Sequence, residues 1–309
     1  MSYTENYQKW LDFAELPAYL RDELVAMDEK TKEDAFYTNL EFGTAGMRGL
    51  IGAGTNRINI YVVRQATEGL AQLIDSKGEE AKKRGVAIAY DSRHFSPEFA
   101  FESAQVLAAH GIKSYVFESL RPTPELSFAV RHLHTFAGIM VTASHNPAPF
   151  NGYKVYGEDG GQMPPADADA LTDYIRAIEN PFTVQLADLE ESKASGLIEV
   201  IGENVDAEYL KEVKGVNINQ DLINEYGRDM KIVYTPLHGT GEMLARRALA
   251  QAGFEAVQVV EAQAVPDPDF STVKSPNPEN QEAFALAEEL GRKVDADVLV
   301  ATDPDADRL

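Results

Sequence analysis

Cysteine is absent from the 309 residues of this chain. Disulfide bonds, zinc sites with cysteine ligands and thiol catalysis are therefore excluded, and the reducing cytoplasm suits such a chain best. Long apolar runs are absent too, since no segment approaches the roughly 20 residues that cross a membrane. The first residues lack the basic region and apolar core of a secretory signal. We therefore predict a cytoplasmic location and no membrane partner.

Positive charge is scarce, because 28 lysines and arginines stand against 50 aspartates and glutamates, for a net charge of −22. Proteins that bind nucleic acid carry a basic face, so we predict no nucleic-acid partner. The same charge repels an anionic substrate at long range. A site for a phosphate ester would have to be positive locally, which draws attention to the few cations that lie beside motifs.

Short apolar runs alternate with amphipathic segments along most of the chain, which predicts an α/β fold with covered sheet faces. The length suggests about two domains. An acidic, helix-prone segment at 166–215 separates the two series of strands, and we predict a first domain over 1–206 and a second over 207–309. The predicted strands cover 86–90, 113–117, 136–141, 231–234, 256–260 and 297–301.

The most informative motif is the hexapeptide 142–147 (TASHNP), which follows the predicted strand 136–141. Open α/β sheets bind ligands at the carboxyl ends of their strands, and Asn-Pro forces a turn. The Ser144 hydroxyl is thus held on a bend, with Lys154 a short loop away. The flanking residues are not the glycines of a hydrolase elbow, and His145 is too near in sequence to favour its ring as the base for this hydroxyl. Phosphoryl chemistry and a simple turn serine both stay open.

Three carboxylates, Asp303, Asp305 and Asp307, alternate in a short loop after the last predicted strand. Carboxylates so close repel one another unless a cation neutralises them. Hard oxygen ligands select Mg²⁺, Mn²⁺ or Ca²⁺ over zinc. An EF-hand matches poorly, because Arg308 stands where that loop requires glycine. The choice lies between a metal site and an acidic surface turn.

Further cations lie close to loop breaks. Arg48 lies near the end of a glycine-rich segment at 41–49 that is neither a Walker loop nor a dinucleotide fingerprint, and Arg93 follows the strand 86–90. Arginine forks match phosphate oxygens, which predicts phosphate contacts, although both arginines also fit a plain surface role. Lys154 lies among tyrosines, and a lysine held beside phosphates neutralises charge or moves a proton. His238 and the turn at 275–279 receive no catalytic role.

Taken together, these segments resemble the α-D-phosphohexomutase superfamily, and they occur in its order. The resemblance implies an α/β fold of two consecutive three-layer α/β/α domains with mixed, mostly parallel sheets, from a family fold with four domains. The long amino-terminal extension and residues 237–241 look like the phosphoglucomutase/phosphopentomutase-type branch. This chain would hold domain 1 and most of domain 2, so we expect little isomerase activity from it alone. The matching segments are 42–49, 142–147, 151–156, 235–241 and 303–308.

The resemblance also implies an activity, the interconversion of glucose 1-phosphate and glucose 6-phosphate through a phosphoserine enzyme and glucose 1,6-bisphosphate. Mg²⁺ is the implied cofactor, and the partner is a small-molecule sugar phosphate. We expect a monomer or a weak dimer. The implied catalytic residues are Ser144, His145, Lys154 and Arg48. The implied phosphate contacts are Arg48, Arg93, Lys154 and Arg308, and the implied metal ligands are Asp303, Asp305, Asp307 and an oxygen on Ser144.

Other functions stay open at this point. A phosphomannomutase or phosphopentomutase of the same superfamily would use the same motifs. An aspartyl-phosphate phosphatase or mutase would use Asp303 as its nucleophile, since these enzymes also place Asp-x-Asp after an apolar strand. A non-catalytic regulator that binds sugar phosphates is the third alternative, which the intact Ser144, Lys154 and aspartates disfavour.

Overall fold

The computed structural model describes residues 2–43 and 46–309. Met1, and Thr44 and Ala45 from the predicted glycine-rich segment, lie outside the described residues. Among the described residues, no helix is long and apolar enough to cross a membrane.

Three short helices begin the chain, as the sequence predicts for a helical segment that is interrupted at Pro17. A capping box between Ser2 and Glu5 starts the first helix, and the Asp28 carboxylate caps the third. Trp10 and Phe36 are buried and meet edge to face, which fixes the first helix against the third. The three helices are α1 (Tyr3–Asp12), α2 (Ala18–Ala26) and α3 (Glu29–Phe36).

The first sheet has six described strands in the order β1-β5-β4-β2-β3-β6. Four of them run parallel, while β5 runs antiparallel to both β4 and β1. The sheet is therefore mixed and mostly parallel, as expected. Its strands are β1 (Met47–Leu50), β2 (Val86–Tyr90), β3 (Ser114–Phe117), β4 (Ala137–Val141), β5 (Phe150–Tyr156) and β6 (Ile198–Ile201).

Helices cover both faces of this sheet. Successive β2 residues point to opposite faces, so Ile88 joins one apolar cluster while Ala87 and Ala89 join another. Helices α4 and α6 pack into the first cluster, and α7 packs into the second. The helices around the sheet are α4 (Ile60–Lys77), α5 (Glu79–Arg84), α6 (Ser96–Ala109), α7 (Thr123–His132), α8 (Pro165–Ala177) and α9 (Leu189–Ala194).

The second sheet has three described strands, all parallel, in the order β8-β7-β9. This order repeats β3-β2-β4 of the first sheet, with the central strand first in sequence. The strands are β7 (Ile232–Thr235), β8 (Val257–Val259) and β9 (Val298–Ala301). The helices from the junction onward are α10 (Glu203–Lys214), α11 (Gln220–Leu222), α12 (Gly241–Ala252), α13 (Glu261–Ala264) and α14 (Ala285–Val294).

The six predicted strands agree with the observed ones within one residue at either end. Three strands were not predicted, namely β1, β5 and β6. β5 was missed because it carries polar residues that are buried in the sheet, so it does not look like an apolar run in sequence. β6 was missed because it lies within the segment 166–215, which was expected to be helical. The predicted domain boundary near residue 206 falls inside α10 and stays a prediction.

Candidate active site

The carboxyl ends of β4 and β9 bring the two strongest motifs together. The Ser144 hydroxyl donates a hydrogen bond of 2.7 Å to Asp303, which lies 159 residues further along the chain. The serine loop ends a strand of the first sheet, and the aspartate loop ends a strand of the second. The site is therefore built between the two sheets, at the strand ends where α/β folds bind ligands.

The serine loop has a fixed and unusual backbone. Ser144 adopts a left-handed conformation with φ of 53°, which is uncommon for a residue with a side chain. Its amide donates to the Thr142 hydroxyl at 2.8 Å, and that hydroxyl donates to Asp91 at 2.6 Å. The buried Asp91 carboxylate thus holds the turn from below, and the Ser144 hydroxyl is left to face the aspartate loop.

Arg93 is fully buried beneath the same loop, where its guanidinium donates to backbone carbonyls of the loop. Its Nη2 reaches the carbonyl oxygens of Ser144 and Asn146, and its Nη1 reaches those of Pro147 and Phe150 at 3.0 and 2.9 Å. Both Nη atoms of Arg93 already donate to backbone carbonyls, so neither of them is free to form hydrogen bonds with a ligand. The geometry disfavours the predicted phosphate contact and favours a positioning role.

The three aspartates converge as the sequence predicts. One carboxylate oxygen from each lies within 4.8 Å of the others. Burial and the neighbouring charge of Asp305 raise the pKa of Asp303 to about 8, and burial with the same neighbour raises the pKa of Asp307. Asp305 Oδ1 is buried and has no hydrogen-bond partner among the described residues. Three carboxylates this close together, one of them with a buried oxygen that accepts no hydrogen bond, are suitable ligands for a hard divalent cation.

The backbone of the aspartate loop is held by the loop that follows β7. The amide and the hydroxyl of Thr240 donate to the Pro304 carbonyl at 2.8 and 2.9 Å. Gly239 approaches so closely that a Cβ there would lie 2.4 Å from the Pro304 Cα. His238 bonds inward to the Val265 carbonyl and the Thr272 hydroxyl, an arrangement that suits the structural role expected from the sequence.

Lys154 reaches the aspartate loop from β5 and not from a loop. Its ammonium lies 3.0 Å from an Asp305 oxygen and 3.9 Å from an Asp307 oxygen. Burial alone would lower the pKa of Lys154, but these carboxylates outweigh it and raise the pKa overall. The same ion pair outweighs burial at Asp305 and lowers the pKa of that carboxyl. Lys154 therefore brings a retained positive charge to the site.

His145 lies beside the serine after all. Its Nδ1 is 3.2 Å from the Ser144 hydroxyl, so adjacency in sequence does not keep the ring away. Burial, followed by the charges of Arg308 and Arg48, lowers the pKa of His145 and favours a neutral ring that can accept a proton.

Two arginines flank the site on its open side. Arg48 lies on β1, is exposed, and donates to the Asn146 side chain at 2.9 Å. Arg308 follows the aspartates, and its backbone amide donates to Asp303 while its guanidinium donates to Glu279 at 2.9 Å. Neither guanidinium is buried, so both remain accessible to an anionic ligand.

Sequence reasoning missed several residues at this site. Thr123 donates to Asp305 from the start of α7, although only spatial proximity reveals it. The turn at 275–279 had no derived role, yet Ser275 bonds to the His145 carbonyl at 3.4 Å and Glu279 pairs with Arg308. The proline spacing in that turn indicated rigidity but gave no sign of its location.

Residues 39–182 match the family model for phosphoglucomutase/phosphomannomutase, alpha/beta/alpha domain I, and residues 207–309 match that for domain II. The chain belongs to the phosphoglucomutase/phosphomannomutase family. Its fold of two consecutive α/β/α units is the fold of that family's first two domains.

Particular relatives are named phosphoglucomutase. One from Staphylococcus epidermidis RP62A is 40% identical over 301 residues, which cover 97% of this chain and 53% of the relative. One from Staphylococcus haemolyticus is 41% identical over 296 residues, which cover 94% of this chain and 52% of the relative. The chain thus spans about half the length of the curated relatives it matches.

Solved structures agree on the fold. A Thermus thermophilus protein assigned as a phosphomannomutase superposes with a TM-score of 0.73 at 25% identity, over 88% of this chain and 56% of that one. The open form of a Paramecium phosphoglucomutase, parafusin, gives a TM-score of 0.63 at 20% identity, over 88% and 52%. The second likeness concerns the fold alone.

Proposed function

We propose that this chain carries the phosphoryl-transfer site of an intramolecular phosphotransferase that interconverts glucose 1-phosphate and glucose 6-phosphate. The observation that carries the proposal is the 2.7 Å hydrogen bond from the Ser144 hydroxyl to the aspartate cluster. A hydroxyl nucleophile beside a hard-cation site is the arrangement that phosphoryl transfer requires, because the reaction depends on positioning and on neutralising charge. Relatives named phosphoglucomutase support the choice of reaction.

The metal ligands in this proposal are Asp303, Asp305 and Asp307, with an oxygen on phosphorylated Ser144 as a further ligand. Mg²⁺ is the proposed ion, since carboxylate and phosphate oxygens are its usual ligands. Bound there, it would supply charge neutralisation for the phosphoryl group in transfer. Lys154, Arg48 and Arg308 add positive charge around the same point, which offsets the net charge of −22 that opposes a phosphate ester.

Ser144 is the proposed phosphoryl carrier. In the first transfer, the P–O bond to Ser144 breaks, a P–O bond to a free sugar hydroxyl forms, and glucose 1,6-bisphosphate results. The proton of the sugar hydroxyl leaves to a base, for which the His145 ring is placed. The Ser144 oxygen that loses the phosphoryl group takes up a proton in return, and the charged Lys154 is the group placed to supply one. The bisphosphate then returns its other phosphoryl group to Ser144: the P–O bond to the sugar breaks and the P–O bond to Ser144 forms. The Ser144 proton leaves to the base, and the sugar oxygen takes up a proton from the acid.

The test is phosphoenzyme formation. We expect label from [³²P]glucose 1,6-bisphosphate to appear on Ser144 of the 309-residue chain, and peptide mapping should locate it there. Ser144→Ala should abolish the label and leave metal binding largely intact. Label that is acid-labile and sensitive to hydroxylamine would instead place the phosphoryl group on Asp303 and overturn the assignment to serine.

The sugar itself is part of the proposal and has its own test. Mannose and pentose phosphates, offered as competing substrates, separate a phosphoglucomutase from a phosphomannomutase or phosphopentomutase. We expect little isomerisation by these residues alone, because relatives use about twice this length; a turnover near that of a full-length relative would contradict this. The cytoplasmic location and the monomer or weak dimer stay predictions.

A further inference from the structure

Thr123 links the first sheet's unit to the aspartate cluster by two hydrogen bonds to one residue. Its amide donates to the Asp305 carbonyl at 2.9 Å, and its hydroxyl donates to Asp305 Oδ2 at 3.0 Å. Thr123 is the first residue of α7, and Asp305 lies in the loop after β9. Thr123, which belongs to the unit of the first sheet, thus holds both the backbone and the side chain of Asp305, a predicted metal ligand that follows a strand of the second sheet.

These bonds divide the two oxygens of Asp305 between two tasks. Oδ2 accepts from the Thr123 hydroxyl and from the Lys154 ammonium, each at 3.0 Å. Oδ1 is buried and has no partner among the described residues. Two donors on one oxygen fix the rotation of the carboxylate, so the other oxygen is aimed into the cluster formed with Asp303 and Asp307. A buried carboxylate oxygen is costly without a partner, which points to a cation at this place.

The segment that presents Thr123 is rigid. Pro122 precedes it and has φ of −71°, the angle its ring imposes. Arg121 makes a two-pronged ion pair with Asp206, at 2.8 and 2.9 Å, with both side chains buried. The Arg121 amide also donates to the Tyr90 carbonyl at the end of β2. The threonine hydroxyl is therefore held by the core of the first unit and not by a mobile loop.

We propose that Thr123 is a positioning residue for the metal site, and that its hydroxyl orients Asp305 so that Oδ1 is available to a divalent cation. This inference rests on the proposed function, because it takes the aspartate cluster to be the cation site. Partners of metal-ligating groups tune affinity strongly, and their loss typically weakens binding about 10- to 100-fold. The Thr123 hydroxyl is such a partner, contributed by the unit that also carries the serine.

The experiment is a titration of the 309-residue chain with Mn²⁺, in which electron paramagnetic resonance reports the free ion. Thr123→Val keeps the shape of the side chain and removes the donor, so affinity should fall about 10-fold. Thr123→Ser restores a hydroxyl and should restore affinity. The matched control is Thr135→Val, because the buried Thr135 hydroxyl donates to the Ala137 carbonyl at 2.9 Å in the same unit and away from the site. That variant should bind like the wild type.

Each other outcome is decisive. Equal affinity of Thr123→Val and the wild type overturns the positioning role and leaves the proposed function standing. Equal losses in Thr123→Val and Thr135→Val would mean general destabilisation, and a Thr123→Ser variant as weak as the valine variant would exclude the hydroxyl; both results overturn the inference. If the wild type shows no Mn²⁺ site that Asp303→Asn removes, the proposed function fails as well.

Discussion

The serine loop and the aspartate loop end equivalent strands of two similarly ordered sheets, yet they are stabilised in opposite ways. In the serine loop the polar groups have internal partners: the Ser144 amide bonds to Thr142, and Arg93 satisfies four carbonyls. In the aspartate loop a buried oxygen of Asp305 has no partner among the described residues, and the carboxyls crowd one another. The backbone of the first loop is held by the protein's own side chains, whereas the second loop keeps a buried carboxylate oxygen whose chemistry fits an added cation.

Among the substitutions considered, the largest effect is expected for Asp303→Asn on divalent-cation binding. Asp303→Asn should weaken divalent-cation binding by about 100-fold or more, since it removes a charged ligand that the cation needs. Without metal, a pKa of about 8 leaves the Asp303 carboxyl mostly protonated near pH 7. Asparagine resembles that neutral form, so the chain without metal should be about as stable as the wild type. Mn²⁺ titration and urea denaturation with EDTA test both halves. A large loss of stability in EDTA would contradict the contrast between the loops.

The second-largest effect is expected when Arg93, which holds the serine loop, is replaced. Arg93→Lys keeps the charge but cannot satisfy four carbonyls, because an ammonium lacks the planar fork. We expect phosphoserine formation to slow by about 10- to 100-fold, which corresponds to roughly 1.4–2.7 kcal/mol, with unchanged Mn²⁺ affinity. Arg64→Lys is the matched control, because Arg64 forms a two-pronged ion pair with Glu102 away from the site. If Arg93 contacts phosphate instead, KM for the sugar phosphate should rise while the loop amides keep their exchange protection.

The free energy of unfolding is expected to depend on pH through Glu125, a residue of α7 close to Thr123. Glu125 lies two residues after Thr123, is buried, and has a pKa that burial, with Asp206 nearby, raises from 4.5 to about 9. Between these values the folded state binds a proton that the unfolded state has released. The free energy of unfolding should therefore fall as pH rises from about 4.5 to about 9, by at most about 1.4 kcal/mol per pH unit.

Urea denaturation at pH 6 and pH 8.5 measures this effect. Glu125→Gln mimics the neutral carboxyl at both pH values and should remove its share of the slope. Glu80, an exposed residue of α5, provides the matched Glu→Gln change and should leave the slope as it is. An unchanged slope in Glu125→Gln would show that this carboxyl is ionised in the folded chain.

The smallest effect is expected at Glu279. Its ion pair with Arg308 is exposed, with 39% of the arginine and 66% of the glutamate side chain accessible. Exposed pairs contribute about 0–1 kcal/mol, so Glu279→Gln should shift the thermal midpoint very little. A large shift would instead mean that this ion pair contributes substantially to the stability of the aspartate loop.

Much of the fold was predictable because apolar strands and amphipathic helices alternate regularly. β2 and β4 are uninterrupted apolar runs, and their bounds were read within one residue. β5 was not predicted, because Asn151 and Lys154 interrupt its apolar pattern and are buried only through tertiary contacts. A strand whose polar residues serve the site looks like a loop in sequence.

Those site residues that belong to a short sequence motif could be predicted from the sequence. The hexapeptide and the alternating aspartates carry their own signals, and the structure brings Ser144 and Asp303 into contact. The role of Arg93 could not be read from sequence, since a guanidinium suits a phosphate as well as a backbone carbonyl. Thr123 was missed for another reason: its partner lies 182 residues away, and no spacing rule reaches that far.

The separation of 159 positions between Ser144 and Asp303 has a consequence for when this site can form during synthesis. Chains are synthesised at about 5–20 residues per second, and amino-terminal units fold first. The serine loop, which needs only residues of its own unit, can therefore form on the order of 10–30 s before its carboxylate partner leaves the ribosome. During that interval the Ser144 hydroxyl has no aspartate loop beside it, so under the proposed function phosphorylation of Ser144 should occur only after the second unit has been synthesised and has docked.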